Sequence, residues 1–214
     1  MAIKAPVLPA GLPAALLAEA ARAAIEEGDT ISDRLFEDDC LEALEADALD
    51  FSRCLFRRVR FEPCELERIH FLDCRFEKCE LSGFPLREGT LRRVVFEDCR
   101  ASGATFSRMS LRDARFARCQ LGYASFVESR FQEVAFSECQ MEHALLHGCT
   151  QKALALEDCM LRQAEVIETP LSGVDLSGCD IDGLRSSVRW LEGTTVSLLQ
   201  APAVLGLCGI ALKA

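Results

Sequence analysis

The residues best equipped for chemistry in this 214-residue chain are twelve cysteines and three histidines. Thiolates attack carbonyls, bind soft metals or close disulfides, and imidazole moves protons or holds zinc. Each use requires a particular spacing, and the spacings argue against all of them. No Cys-x-x-Cys pair occurs, so a standard zinc site is not expected. Cys79, Cys99, Cys119, Cys139, Cys159 and Cys179 recur every twenty residues instead. That regularity predicts reduced thiols buried as small hydrophobes, in a chain long enough to fold without disulfide staples. Soft-metal binding along the column, or a Cys74–Cys79 bridge on oxidation, is the weaker reading. His70, His143 and His147 fall at outward positions, with Glu142 beside two of them. A surface imidazole near a carboxylate carries no reaction by itself. No phosphate loop, nucleophile elbow or His-Glu-x-x-His is present, so the expectation is a protein that is not an enzyme and needs no cofactor or metal.

The elements that place these residues follow a period that is neither 3.6 nor 2. From Phe51 to Ile181 the 27 positions numbered in 1 or 6 are all apolar except Gln151. The 27 positions from Leu49 to Cys179 numbered in 4 or 9 carry no charge and hold ten of the cysteines. Every charged residue between 51 and 183 sits at the other three positions of each five. A second period of twenty sorts the residue types: Phe56, Phe76, Phe96, Phe116 and Phe136 share one column, and Ala104, Ala124, Ala144 and Ala164 another. Internal repetition outranks local propensity here. Its physical solution is a square coil in which five residues form one wall and twenty complete one lap. Laps stack as parallel strands about 4.8 Å apart. The fold class is therefore all-β, a right-handed quadrilateral parallel β-helix.

Stretches such as "ATFSR", "CQLGY", "ASFVE", "VDLSG" and "CDIDG" resemble the pentapeptide repeat family, over roughly residues 31–196. Free use of Cys and Val, and few Asp or Asn before the centre, depart from its commonest pattern without threatening the fold. The expected organisation is an N-terminal capping segment with a helix (1–30), a β-helix of about eight coils (31–196), and a C-terminal helix with an apolar tail (197–214). In "PAALLAEAARAAIEEGD", Pro13 suits a helix start and Gly28 its stop, with Leu16, Leu17, Ala20, Ala24 and Ile25 on one apolar side. Ser197 can cap a second helix running to about Leu205 and stopping at Gly206, although Pro202 would bend it. The opening "MAIKAPVLPAGLPAALLAEAARA" superficially resembles a signal peptide, but three prolines interrupt its apolar part. A cytoplasmic protein is expected.

Net charge is −10, which argues against direct nucleic-acid or anionic-membrane binding. The tail and overall layout are similar to the quinolone-resistance (Qnr) branch of the family. The apolar tail reads either as a hydrophobic lid on the last turn or as a two-fold contact, and that resemblance implies the latter, a homodimer through Leu198, Leu199, Ala203, Val204, Leu207, Ile210 and Leu212. It also implies a non-enzymatic DNA mimic that binds a type II topoisomerase, DNA gyrase or topoisomerase IV, and protects against quinolones or toxins. Carboxylates would stand where phosphates sit. The charges fit imperfectly: residues 1–50 carry −9, 51–100 carry +2, 101–150 balance, and 151–200 carry −4. Arg53, Arg57, Arg58, Arg60, Arg92, Arg93, Arg115 and Arg118 interrupt any acidic stripe. Glu157, Asp158, Glu165, Glu168, Asp175, Asp180 and Asp182 are the candidate partner-binding acids. A general protein–protein interaction scaffold with another partner is the competing expectation.

Overall fold

The computed structural model describes residues 2–42, 44–62, 64–211 and 213. Residue pairing is parallel and offset by twenty throughout: Ile31 lies beside Phe51, Phe51 beside Phe71, Phe71 beside Leu91, and so on up the rod. We name the four walls by their central residues. Wall 1 carries Phe51, Phe71, Leu91, Leu111 and Phe131; wall 2 carries Phe36 to Phe136 in steps of twenty, then Leu156 and Leu176. Wall 3 carries Leu41, Phe61, Leu81, Ala101, Leu121, Met141, Leu161 and Ile181; wall 4 carries Leu86, Phe106, Phe126, Leu146 and Val166. Walls 1 and 2 share continuous eight-residue strands, such as Ser110–Ala117 and Arg130–Ser137. Wall 4 has three-residue strands, and wall 3 above Phe61 reduces to single bridges.

The bore is filled with side chains. Along wall 2 the rings from Phe36 to Phe136 stack with centroids 5.2, 4.5, 4.4, 4.7 and 4.8 Å apart. Phe106 and Phe126 repeat the arrangement on wall 4 at 4.7 Å. These separations are set by the strand spacing, which suits nearly parallel rings offset within a column.

A wall of five residues ends in a sharp corner, and the corner explains the spacing. Among the described residues, 21 non-glycine residues have left-handed φ between 47° and 63°, and every one is numbered in 3 or 8. Such a conformation costs about 1 kcal/mol or more for an L-residue. Here it turns the amide outward from its own wall, and that amide donates to a carbonyl of the next lap: Arg53 to Leu72, Lys78 to Glu97, Arg118 to Ser137. Most corner positions face solvent and most carry Asp, Arg or Glu, with Asp73 and Asp113 the buried exceptions.

The buried cysteines do more than fill space. Each thiol of the main column sits 3.4–3.6 Å from a carbonyl of the preceding lap, as with Cys119 on Phe96 and Cys139 on Phe116. In the corresponding column of wall 1 the Met109 sulfur accepts the Gly89 amide at 3.1 Å. A buried amide and a buried carbonyl would otherwise lack partners. Ser129 and Thr169 confirm the logic: their hydroxyls accept the amides of Met109 and Cys149 and lie 3.0 and 3.2 Å from the carbonyls of Phe106 and Leu146. Burial pushes the thiols of Cys74 and Cys149 up, so they stay protonated and unreactive. All twelve cysteines are free, ten are buried, Cys40 is half-buried and Cys208 is exposed. A thiol reagent is therefore expected to label at most two sites in the native protein and twelve after denaturation; rapid native labelling of more than two would contradict this packing.

The ends differ from expectation in instructive ways. Helix α1 runs Leu17–Glu27 and ends at Gly28 (φ 71°), four residues later in starting than Pro13. Residues 13–15 instead extend the first sheet edge: Leu35 donates to Pro13 and Ala15 to Leu35. The first helical amide, Leu17, is capped by the Asp39 carboxylate at 2.6 Å. Its buried side is Leu17, Ala21 and Ala24, while Leu16 and Ile25 are exposed. At the other end Leu198–Gln200 forms one 3₁₀ turn and α2 spans Ala201–Leu207. Pro202 therefore falls in a first helical turn, where its missing amide has no partner to lose. Gly206 lies inside α2, and the left-handed residue beyond it is Gly209 (φ 72°). Gln200 donates to the carbonyls of Leu176 and Cys179, closing the top of the coil.

Candidate functional site

The outer walls carry the polar chemistry, and the lap register decides which charges meet. Corner residues of successive laps alternate in sign over part of the rod, although Arg58 and Lys78, Asp113 and Glu133, and Glu138 and Asp158 are like-signed neighbours. On the wall 1–2 corner the order is Asp33, Arg53, Asp73, Arg93, Asp113, with Arg53 gripping Asp33 at 2.6 Å and Arg93 gripping Asp73 at 2.6 Å. On the wall 2–3 corner Arg58 binds Asp38 at 2.6 Å and Arg118 binds Asp98 at 2.7 Å; on the wall 4–1 corner Arg108 binds Glu88 at 2.6 Å. Wall 2 adds Arg57 between Glu37 and Glu77, and Arg75 between Glu77 and Glu97. Apart from Arg93–Asp73, whose carboxylate is buried, these are exposed pairs that contribute little stability each. Their effect is to pin register and to neutralise most of the arginines that interrupt the acidic surface in the sequence.

An extended strap that the sequence did not announce covers part of wall 2. Residues Ala2–Pro9 run across the laps rather than along them. The Lys4 amide donates to Asp113 and the Val7 amide to Asp73, both at 3.0 Å. Burial alone would raise the Asp73 carboxyl, but Arg93 and the Val7 amide outweigh it and hold it below the usual carboxylate range. Ile3, Pro6 and Leu8 are half-buried along a groove of 620 Å³ whose floor includes Val95, Ala117 and Ala135.

The candidate acids do not share one face. Glu157 and Asp175 stand on wall 2, Asp158 on the wall 2–3 corner, and Asp180 and Asp182 on wall 3. Those five occupy adjoining surfaces of the last laps. Glu165 stands on wall 4 and Glu168 on the wall 4–1 corner, across the rod. Asp180 pairs with Arg162 at 2.6 Å and Glu165 with Arg185 at 2.7 Å; Glu157 accepts from the Ser137 hydroxyl at 3.1 Å. A 450 Å³ cleft lined by Asp180, Asp182, Leu199 and Pro202 sets the wall 3 acids against the tail.

In the tail, Leu198 and Leu199 are 89% and 92% exposed and Ile210 is 50% exposed. Ala203 and Val204 pack partly on their own rod, Leu207 is half-buried, and Leu212 lies outside the described residues. His143 stacks on Tyr123 at 4.6 Å, and His147 lies 3.7 Å from Glu168. Among the described residues no group of three or more His, Cys, Asp or Glu is arranged to hold a metal ion, and no helix is long and apolar enough to cross a membrane.

The family model described as "Pentapeptide repeat region" matches residues 49–126, 69–146 and 113–185. No curated protein matches the chain. Among solved structures it is similar to HetL, a pentapeptide repeat protein involved in heterocyst differentiation regulation from the cyanobacterium Nostoc sp. strain PCC 7120, at 14% identity over 78% of this chain and 86% of that one, with a TM-score of 0.45. It is also similar to a trypsin-treated variant of QnrB1, a plasmid-mediated fluoroquinolone resistance protein, at 20% identity over 87% and 91% of the two chains, with a TM-score of 0.42.

Proposed function

We propose, starting from the fact that this chain belongs to the pentapeptide repeat family, that its rod is a non-enzymatic DNA mimic that docks on a type II topoisomerase, DNA gyrase or topoisomerase IV, in the cytoplasm and protects it from quinolones or toxins. One observation carries the reading. Glu157, Asp158, Asp175, Asp180 and Asp182 gather on two adjoining walls of the last laps, next to the tail. In the laps below them Arg53, Arg57, Arg58, Arg75, Arg93 and Arg118 are held in ion pairs. Duplex DNA presents one charge per ~1.7 Å of axis, and a basic DNA-binding saddle responds to density over the contacted stretch only. Leu198 and Leu199, almost wholly exposed beside those acids, support a two-fold homodimer through the tail. Such a dimer would join the two acidic ends into one central negative field.

The test is supercoiling by purified gyrase and decatenation by topoisomerase IV, with and without ciprofloxacin. The native protein is expected to inhibit one of them or to rescue it from the drug. Changing Asp158, Asp175 and Asp182 to Lys should weaken the effect at least about tenfold, through lost steering. Changing Glu165 and Glu168 to Lys, on the far side, should leave it unchanged. A native protein without effect on either enzyme, or equal sensitivity on both sides of the rod, removes the proposal and leaves a scaffold for some other partner.

A further inference from the structure

We infer that wall 1 is a second docking surface, one that takes a short, extended, acidic segment of a partner protein. It is distinct from the acidic walls 2 and 3, and wall 3 is the wall opposite. The strands Thr90–Glu97, Ser110–Ala117, Arg130–Ser137 and Thr150–Glu157 bring Arg92, Arg112, Gln132 and Lys152 into one column. Thr90, Ser110, Arg130 and Thr150 form the column beside it. Arg92, Arg112, Arg130 and Lys152 are all exposed. Among the described residues no carboxylate lies within 4.0 Å of Arg92, Arg130 or Lys152, and Arg112 reaches Asp113 only at 3.8 Å. Among the described residues Arg60, Arg87 and Arg115 on the other walls also stand outside ion pairs, but on wall 1 such cations stack lap upon lap in one strip.

The neighbouring acids are mostly engaged elsewhere. Asp73 is held by Arg93 and the Val7 amide, Asp113 receives the Lys4 amide, and Glu88 is held by Arg108. Glu128 and Glu133 are the carboxylates left at the two corners of this stretch. The strap adds Lys4 at the wall 1–2 border and fences that side. An acidic chain with net charge −10 thus presents one cationic strip, flanked by hydroxyl donors.

Charge complementarity selects an anion, and the geometry selects a short one. From Arg92 to Lys152 the strip spans three lap intervals, about 14 Å. An extended peptide of five or six residues, at about 3.4 Å each, covers that length. A nucleic acid would carry its regular charge past the strip and meet the carboxylates of the other walls, which repel it. A short Asp/Glu segment escapes that penalty, and its carboxylates accept fork-like bonds from the guanidinium groups.

The test uses the full chain and fluorescein-labelled hexaglutamate, read by anisotropy at low and at physiological salt. The peptide is expected to bind at low salt and to weaken as salt rises. The quadruple change Arg92→Glu, Arg112→Glu, Arg130→Glu and Lys152→Glu should weaken binding at least about tenfold with an unchanged circular dichroism spectrum. The milder pair Glu128→Gln and Glu133→Gln, which does not threaten the fold, should strengthen it. No binding at low salt, or indifference to both sets of changes, overturns the inference. Tighter binding of a hexathymidylate oligonucleotide than of the peptide overturns it in favour of nucleic acid. None of these outcomes bears on the topoisomerase assay, which reads walls 2 and 3.

Discussion

The substitution Gly89→Ala is expected to destabilise the rod by about 3 kcal/mol or more, the upper end of what an overpacked interior position loses. Gly89 occupies an inward position between Ile69 below and Met109 above. A Cβ built there would lie 1.9 Å from the Ile69 carbonyl oxygen. The obstacle is backbone, fixed in the lap beneath, so no side-chain rotation relieves it. The Gly89 amide also donates to the Met109 sulfur at 3.1 Å, a contact that a displaced strand would break. For a chain of this length, 3 kcal/mol corresponds to a fall in Tm of roughly 6–12 °C. The comparison is Gly103→Ala. Gly103 has φ +66° but open space around its Cβ, so its replacement should lose only about 1 kcal/mol. Thermal unfolding followed by circular dichroism ranks the two, and equal losses would mean that Gly89 is not tightly enclosed.

The paired change Leu198→Asp and Leu199→Asp is expected to abolish the homodimer proposed above while sparing the monomer. Both side chains are almost fully exposed, so each has little to lose within its own chain. Burying a leucine stabilises an interface by about 1.5–3 kcal/mol, and a two-fold contact would bury four of them. Association is opposed by lost rotational and translational freedom, so only part of this appears as affinity. Even half of it, about 3–6 kcal/mol, raises the dissociation constant by two to four orders of magnitude. Sedimentation velocity reads the result directly. A native chain that sediments as a monomer at high concentration, or a variant that still dimerises, would refute the tail as the interface.

Much of the fold was legible in the numbering. The stacked phenylalanines from Phe56 to Phe136 and the buried cysteine column follow from the five-residue and twenty-residue periods, because one periodic constraint acts on every lap. Features made once were not legible. Lys4 meets Asp113 across 109 residues and leaves no periodic trace. The late start of α1 is decided by Leu35, which takes residues 13–15 as an extra edge and leaves Leu17 to be capped by Asp39. The second role of the cysteines did leave a signal: Ser129 and Thr169 stand in an inward column, and a hydroxyl there makes sense only if buried backbone needs a partner. The division of the acids was also open to arithmetic. Glu165 is eight residues past Glu157 and Glu168 is ten past Asp158, so a twenty-residue lap sends each across the rod. The local run of acids in the sequence obscured that separation.

The alternating corner Asp33–Arg53–Asp73–Arg93–Asp113 repeats after forty residues, not twenty. Duplicating a single segment of twenty would set aspartate upon aspartate, or arginine upon arginine, along that edge. Copying two segments together would preserve every attraction. Along this edge a gene of this kind can thus lengthen its product in even increments without electrostatic conflict, and a nascent chain that slipped by one storey there would meet repulsion where the native alignment has attraction.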